Sequence, residues 1–215
     1  MYSRARVDGS GLGDRAAPGQ PILDQLQPQT NVTVGAATLT AAQVLSGWLQ
    51  RSGPVAGFID TFPSADSIIA AMTAGGLGPQ VGDCFKFVYQ NTVAQAMTFA
   101  AGAGIVSGVG TLNVAASVTR TYFLTLLSTK PTVVLVGTTT NTTLILSGFT
   151  AAQVAQVMPG MGVTGVGIGA AAIVTGVSPD AGTINVSVAS TATAGNIAIT
   201  FNPRIRLDSI GTQAA

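Results

Sequence analysis

The chain has 215 residues, of which only 8% are charged, and its net charge is +1 with no histidine. An ordinary soluble domain carries about 25% charged residues. This balance excludes the phosphate-neutralising affinity of a dedicated nucleic-acid binder and removes the side chain that most often moves protons in catalysis.

The charge is also unevenly spread. From Pro131 to Pro203 the only charged residue is Asp180. A surface so poor in charge lacks the usual protection against self-association, so the chain is expected to work packed against copies of itself or a partner. Cys84 is the sole cysteine, which excludes a disulfide framework or a thiolate metal cluster. No apolar run follows the positive N-terminal residues, so a signal peptide is not expected. Gly160 to Val177 is uncharged but too rich in glycine for a membrane helix, each glycine costing about 1 kcal/mol of helix propensity.

Residues 1–30 read as an extended N-terminal arm. Gly9, Gly11, Gly13, Pro18, Gly19, Pro21 and Pro28 interrupt any period, and Arg4, Arg6, Asp8, Asp14 and Arg15 cluster early. A solvated tail and a segment that orders on a neighbouring subunit both fit this composition.

From Asn31 onward the pattern predicts short strands and turns with three short helices. Thr40-Ala41-Ala42-Gln43 and Thr150-Ala151-Ala152-Gln153 are capping boxes, a Thr with Gln three residues later. The first helix runs toward Gly47 and the second toward Pro159-Gly160. A third spans Pro63 to Met72 and places Ile68, Ile69 and Met72 on one face. The strand Cys84 to Gln90 alternates strictly, with Phe85, Phe87 and Tyr89 on one side and Lys86 and Gln90 on the other. Further strands are expected at Ala96 to Phe99, Thr111 to Ala115, Arg120 to Leu127 and Thr132 to Val136. Phe85, Phe87, Tyr89, Tyr122 and Phe123 are assigned to this domain's core.

Thr138 to Thr143 reads as a polar linker and domain boundary. Beyond it, strands are expected at Leu144 to Leu146, Ala172 to Val177, Thr183 to Val188 and Ile197 to Phe201, with a hairpin turn at Pro179-Asp180-Ala181-Gly182. Phe149 and Phe201 are the aromatics of this second unit, which must therefore be thin or complete its core against something else. The fold class that follows is all-β: a jelly-roll or β-sandwich with short helices, a second smaller β unit and an extended N-terminal arm. The boundaries are 1–30 for the arm, 31–137 for the sandwich, 138–203 for the second unit and 204–215 for a C-terminal tail.

Catalytic patterns are weak. Gly160-Met161-Gly162-Val163-Thr164-Gly165 matches the dinucleotide fingerprint in letters, but it follows a helix rather than joining a strand to one. Cys84 and Lys86 share a strand face without an activating base arrangement. Asp60 and Asp66 sit where turns and helix starts favour Asp, and no carboxylate pair stands out. No catalytic residue, cofactor or metal ligand is expected.

The succession Asp60-Thr61-Phe62-Pro63-Ser64-Ala65, Gly82-Asp83-Cys84-Phe85-Lys86-Phe87, Asn91-Thr92, and Thr98-Phe99-Ala100-Ala101-Gly102-Ala103-Gly104 with Gly108 resembles virion structural proteins of tailed bacteriophages. It is most similar to their small capsid decoration, or cement, proteins. Gly160 to Ile168 with Ile173 to Val177 resembles β modules of the same class of proteins. The resemblance implies a protein, homotrimeric, that sits on the outer capsid surface, binds the major capsid protein and stabilises the assembled shell. It also implies synthesis in the host cytoplasm and no membrane, nucleic-acid or small-molecule partner. Arg4, Arg6 and Arg15 in the arm, with Arg204 and Arg206 near the C-terminus, are the expected partner contacts. The alternative is a tail, fibre or spike component that touches the host surface.

Overall fold

The structure is a computed structural model that describes residues 29–214, with side chains over 31–211. The expected arm, with Arg4, Arg6 and Arg15, lies outside the described residues but for its last two positions. Strand occupies 42% of the chain and helix 10%, so the fold is all-β with short helices, as composition and turn spacing imply. It comprises a sandwich and a barrel.

The sandwich has two sheets. The larger is built from β1 (Gln29–Asn31), β2 (Trp48–Arg51), β4 (Cys84–Asn91), β8 (Val118–Leu126), β15 (Ile205–Ala214) and β6 (Ile105–Ser107), in that spatial order. The smaller contains β3 (Phe58–Thr61), β5 (Met97–Ala100) and β7 (Asn113–Val114). Several neighbours run parallel: β1 with β2, β2 with β4, β3 with β5 and β15 with β6. Of the two expected architectures this is the sandwich, because a jelly roll is built from antiparallel strands. Helices α1 (Ala41–Leu45) and α2 (Ala65–Ala74) cover part of the core, and α2 buries Ile68, Ile69 and Met72 as its spacing predicts.

Strand alternation selects the core. In β4, Phe87 and Tyr89 are buried while Cys84 and Lys86 face outward; in β8, Tyr122, Leu124 and Leu126 are buried. Phe99 sits among aromatic neighbours, its ring centroid 4.5 Å from Phe62, 4.8 Å from Tyr89 and 5.2 Å from Tyr122. Phe85 is partly buried against this cluster. Phe123 is not part of it: adjacent strand residues point to opposite faces, and burying Tyr122 turns Phe123 outward.

The second unit comprises β9 (Val133–Thr139), β10 (Ile145–Ser147), α3 (Ala151–Val154), β11 (Gly162–Gly165), β12 (Val174–Ser178), β13 (Thr183–Val186) and β14 (Ala194–Asn202). Its sheet order is β11-β14-β9-β10-β13-β12. The two ends then meet: Gly162 bridges Ile173 antiparallel, Val163 N–H donates to Ala172 O at 2.9 Å, and Val174 N–H donates to Met161 O at 2.8 Å. The sheet closes into a barrel, which removes its free edges. Closure also explains how a unit with so few aromatics makes its own core. Leu135, Leu146, Val163, Val174, Ile184, Val186, Ile199 and Phe201 fill the inside with Phe149, Met161 and the α3 residue Val154. Completion against another surface is not needed.

Three expected boundaries shift. Val133 to Thr139 is a barrel strand, so the chain leaves the sandwich before Val133 rather than at Gly137. Thr138 and Thr139 belong to that strand, Thr139 fully buried, and only Thr140 to Thr143 form a turn. The supposed C-terminal tail is β15, which pairs antiparallel with β8 and parallel with β6 inside the larger sandwich sheet. The barrel is therefore inserted into the connection between two neighbouring sandwich strands. α3 is also shorter than expected, ending at Val154.

The neck of this insertion is tightly built. Leu127 N–H donates to Arg204 O at 2.9 Å, and Arg204 N–H donates to Ser128 Oγ at 2.8 Å. The barrel residue Gly160 presses on it with φ +92°, and a Cβ there would lie 2.2 Å from Leu127 O. Gly160→Ala should therefore lower the melting temperature, by a cost of at least about 1–3 kcal/mol for the left-handed backbone alone. Gly35→Ala, where a Cβ meets nothing within 4 Å, is the neutral control in the same thermal melt.

Candidate functional site

Three regions stand out among the described residues. The first is a buried polar cluster where β2, β3 and β4 meet. Leu49 and Arg51 share a face of β2, so Arg51 points inward with the core and is fully buried. A buried charge must be paired and hydrogen-bonded. Arg51 Nε donates to Asp60 Oδ2 at 2.9 Å and Arg51 Nη2 to Asp60 Oδ1 at 3.1 Å. Nη1 donates to the carbonyl of Thr33 and Nη2 also to that of Gly35, and the guanidinium carbon stands 5.0 Å from the Phe58 ring centroid. Asp60 also accepts the Ala37 N–H at 2.9 Å and the Tyr89 hydroxyl at 2.9 Å. Every oxygen of Asp60 is thus used twice, an arrangement that holds a segment of backbone rather than a reacting group.

Burial, reinforced by the Asp60 carboxylate, pushes the Tyr89 phenol well above its ordinary 10.0, and burial raises Tyr122 as well. The folded state keeps both phenolic protons at a pH where the unfolded chain loses them. Stability is therefore whole below about pH 10 and declines as pH rises past it. Denaturant midpoints should fall between about pH 9 and pH 11, and phenolate absorbance from these two residues should appear only with unfolding.

The second region is the outer face of the larger sandwich sheet. Cross-strand rows place Cys84, Thr125 and Arg206 side by side, then Lys86, Phe123 and Asp208. With Gly108, Val109 and Ile210, all of these but Lys86 line a shallow depression of about 450 Å³. Arg206 Nε donates to Asp208 Oδ2 at 2.7 Å, with its side chain half exposed. Cys84 Sγ accepts the Thr125 hydroxyl at 3.6 Å. The third region is the barrel exterior, where Val134 is 58% and Val136 52% exposed, and where Leu144 and Ile145 are half exposed. Asp180 is the single charge of the barrel and lies on the exposed turn between β12 and β13.

The expected contact residues are not one cluster. Arg204 is partly buried at the neck, alongside Gly162 of the barrel, and burial lowers its pKa. Arg206 points to the depression on the sandwich. The fingerprint-like glycines fall in a turn and in β11, with no helix start after them, so these residues do not form a pyrophosphate-binding turn. Asp66 accepts the Thr132 N–H at 2.9 Å, a contact between the sandwich helix α2 and the start of the barrel. Among the described residues no group of three or more His, Cys, Asp or Glu is placed to hold a metal, and no helix is long and apolar enough to cross a membrane.

The Arg51 cluster escaped the reading of the sequence, which gave Asp60 a turn role and passed over Arg51. The signal available was the parity of Trp48 to Arg51. An Arg sharing a strand face with a buried Leu needs an acidic partner.

Comparison with protein-family models, with curated proteins and with solved structures finds no match for this chain.

Proposed function

We propose that the chain is a structural protein of a virion that binds the assembled shell and stabilises it, as capsid decoration proteins do. The observation that carries this reading is the barrel exterior. The barrel fills its own core, so exposed Val134, Val136, Leu144 and Ile145 serve no folding need, and from Pro131 to Pro203 Asp180 is the only charged residue to keep another surface away. An exterior of this kind suits permanent contact with a folded neighbour. The neighbours are the major capsid protein and further copies of this chain, in a homotrimer on the outer capsid surface.

The mechanism is binding. Weak contacts repeated by the symmetry of a shell add up to an avidity that none supplies alone. A ligand of the assembled state alone stabilises that state by mass action. Arg206, half exposed beside apolar Val109 and Ile210, adds a charged anchor on the sandwich side; Arg204 contributes at the neck.

The test uses Val134→Lys with Val136→Lys on the full chain. Both positions are exposed, so stability should move by no more than about 0.5 kcal/mol per site. Co-sedimentation with empty shells of the parent particle should weaken at least about tenfold, with loss of the heat resistance the chain confers. Shell binding equal to that of the unaltered chain removes the barrel face from the interface. Binding to host cells rather than shells selects the tail or fibre alternative.

A further inference from the structure

We infer that residues 21–28 of this chain dock on the outer face of its own larger sandwich sheet, with Asp24 paired to Lys86. This docking concerns the chain alone and stands whether or not it binds a shell. The inner face of the sheet packs on α1, α2 and the smaller sheet. The outer face departs from the rule that a solvated sheet face is polar. Trp48, the chain's single tryptophan, lies outward on β2 because Leu49 and Arg51 point in. Register sets it beside Val88, then Thr121, then Ile210, while Phe123 stands two positions along β8 next to Lys86. Trp48, Val88 and Phe123 are only partly buried, and Ile210 is 53% exposed. The Trp48 indole N–H is itself buried without a hydrogen-bond partner, although a buried indole N–H ordinarily has one. The face is built to be covered.

The occupant follows from where the described chain starts. β1 begins at Gln29 on the edge of this sheet, level with Leu49 and Tyr89. The residue before it is Pro28, which has no N–H to continue the ladder. Because β1 runs parallel to β2 and β4, its backward direction points to the end of the sheet that carries Trp48 and Lys86. Lys86 is two strands across and three positions back from the level of Gln29, about 14 Å away. Asp24 precedes Gln29 by five residues, which span about 17 Å when extended. The charges also match. Asp24 is the only charged residue between Arg15 and Arg51. Among the described residues of this face, Lys86 is exposed and outside any ion pair, whereas Arg206 and Asp208 pair with each other. Ile22, Leu23 and Leu26 flank Asp24, so one carboxylate among apolar groups meets one ammonium among Trp48, Val88 and Phe123. The tether holds the segment near the face at an effective concentration of about millimolar, so modest contacts suffice. Docking also carries Arg15, six residues before Pro21, toward the side of the sheet where Arg206 stands.

The experiment mixes full-length chains of two isotope labels and treats them with a carbodiimide, which joins a touching carboxylate and amine as an amide with loss of water. Mass spectrometry then reads links between Asp24 and Lys86 and whether both ends carry one label. Links should form within single chains. Leu23→Ser with Leu26→Ser removes apolar contacts and keeps both charges. In that variant the link yield should fall at least about fivefold, and acrylamide quenching of Trp48 should rise about twofold, as burial of the apolar face is lost. Absence of the link overturns the inference, and so does a yield or a quenching that the two substitutions leave unchanged. Links found only between differently labelled chains overturn it too, and assign the face to a second copy.

Discussion

Asp60→Ala is expected to destabilise the sandwich by about 3–5 kcal/mol, the usual cost of stranding one partner of a buried pair. The substitution leaves the Arg51 guanidinium without a counter-charge where neither side chain has any exposure. It also strands the Tyr89 hydroxyl and the Ala37 N–H, two donors that Asp60 accepts at 2.9 Å. The melting temperature of the sandwich should fall by on the order of 10 °C or more. Adding Arg51→Met should restore part of the loss, because the second change removes the stranded charge and keeps an unbranched apolar side chain over Phe58. The double-mutant cycle should give a coupling above about 1 kcal/mol, as expected for residues in one network. Urea unfolding followed by near-ultraviolet circular dichroism supplies all four free energies. A cost below about 1 kcal/mol for Asp60→Ala would mean that water reaches this pair.

Phe99→Ala and Phe201→Ala should each cost about 3–5 kcal/mol, the range for truncating a buried aromatic, and should do so in different parts of the molecule. Phe99 touches Phe62, Tyr89 and Tyr122 in the sandwich, while Phe201 packs at 6.2 Å on Phe149 in the barrel. The two cores share no residue. Hydrogen exchange resolved by peptide should therefore separate them. Phe99→Ala should release amides of β4 and β8, and also those of residues 205–211, while residues 133–202 stay protected. Phe201→Ala should do the reverse. The telling peptide is 205–211, which follows the barrel in the chain but belongs to the sandwich sheet. Its release by Phe201→Ala and not by Phe99→Ala would refute the insertion topology.

Local rules carried far in this chain. The two Thr-Ala-Ala-Gln-Val segments form the expected capping boxes, each with its valine fully buried. The repeat therefore answers to one local task performed twice, starting a short helix over a core. The buried stripe of α2, the alternation of β4 and the Pro179-to-Gly182 turn all follow from spacing within ten residues. The run from Pro131 to Pro203, with Asp180 as its one charged residue, coincides with the barrel.

What spacing could not reach was pairing between distant segments. The residues of β15 look like a polar tail because Arg206 and Asp208 alternate with Ile205 and Leu207, and nothing nearby says that β8 waits 79 residues earlier in register, Leu126 against Ile205. Asp60 reads as a turn residue and Arg51 draws no reading until β2 and β3 place them in two sheets of one sandwich. By itself the sequence determined the fold class, the three helices, the alternation of the long strands and a surface nearly without charge, since each depends on neighbours along the chain. Only tertiary structure decided that the second unit is a closed barrel set into a sandwich hairpin, and that one buried guanidinium fastens the backbone of residues 33–35. Those outcomes depend on hydrogen bonds and desolvation between strands far apart in sequence, where short-range periodicity carries no information.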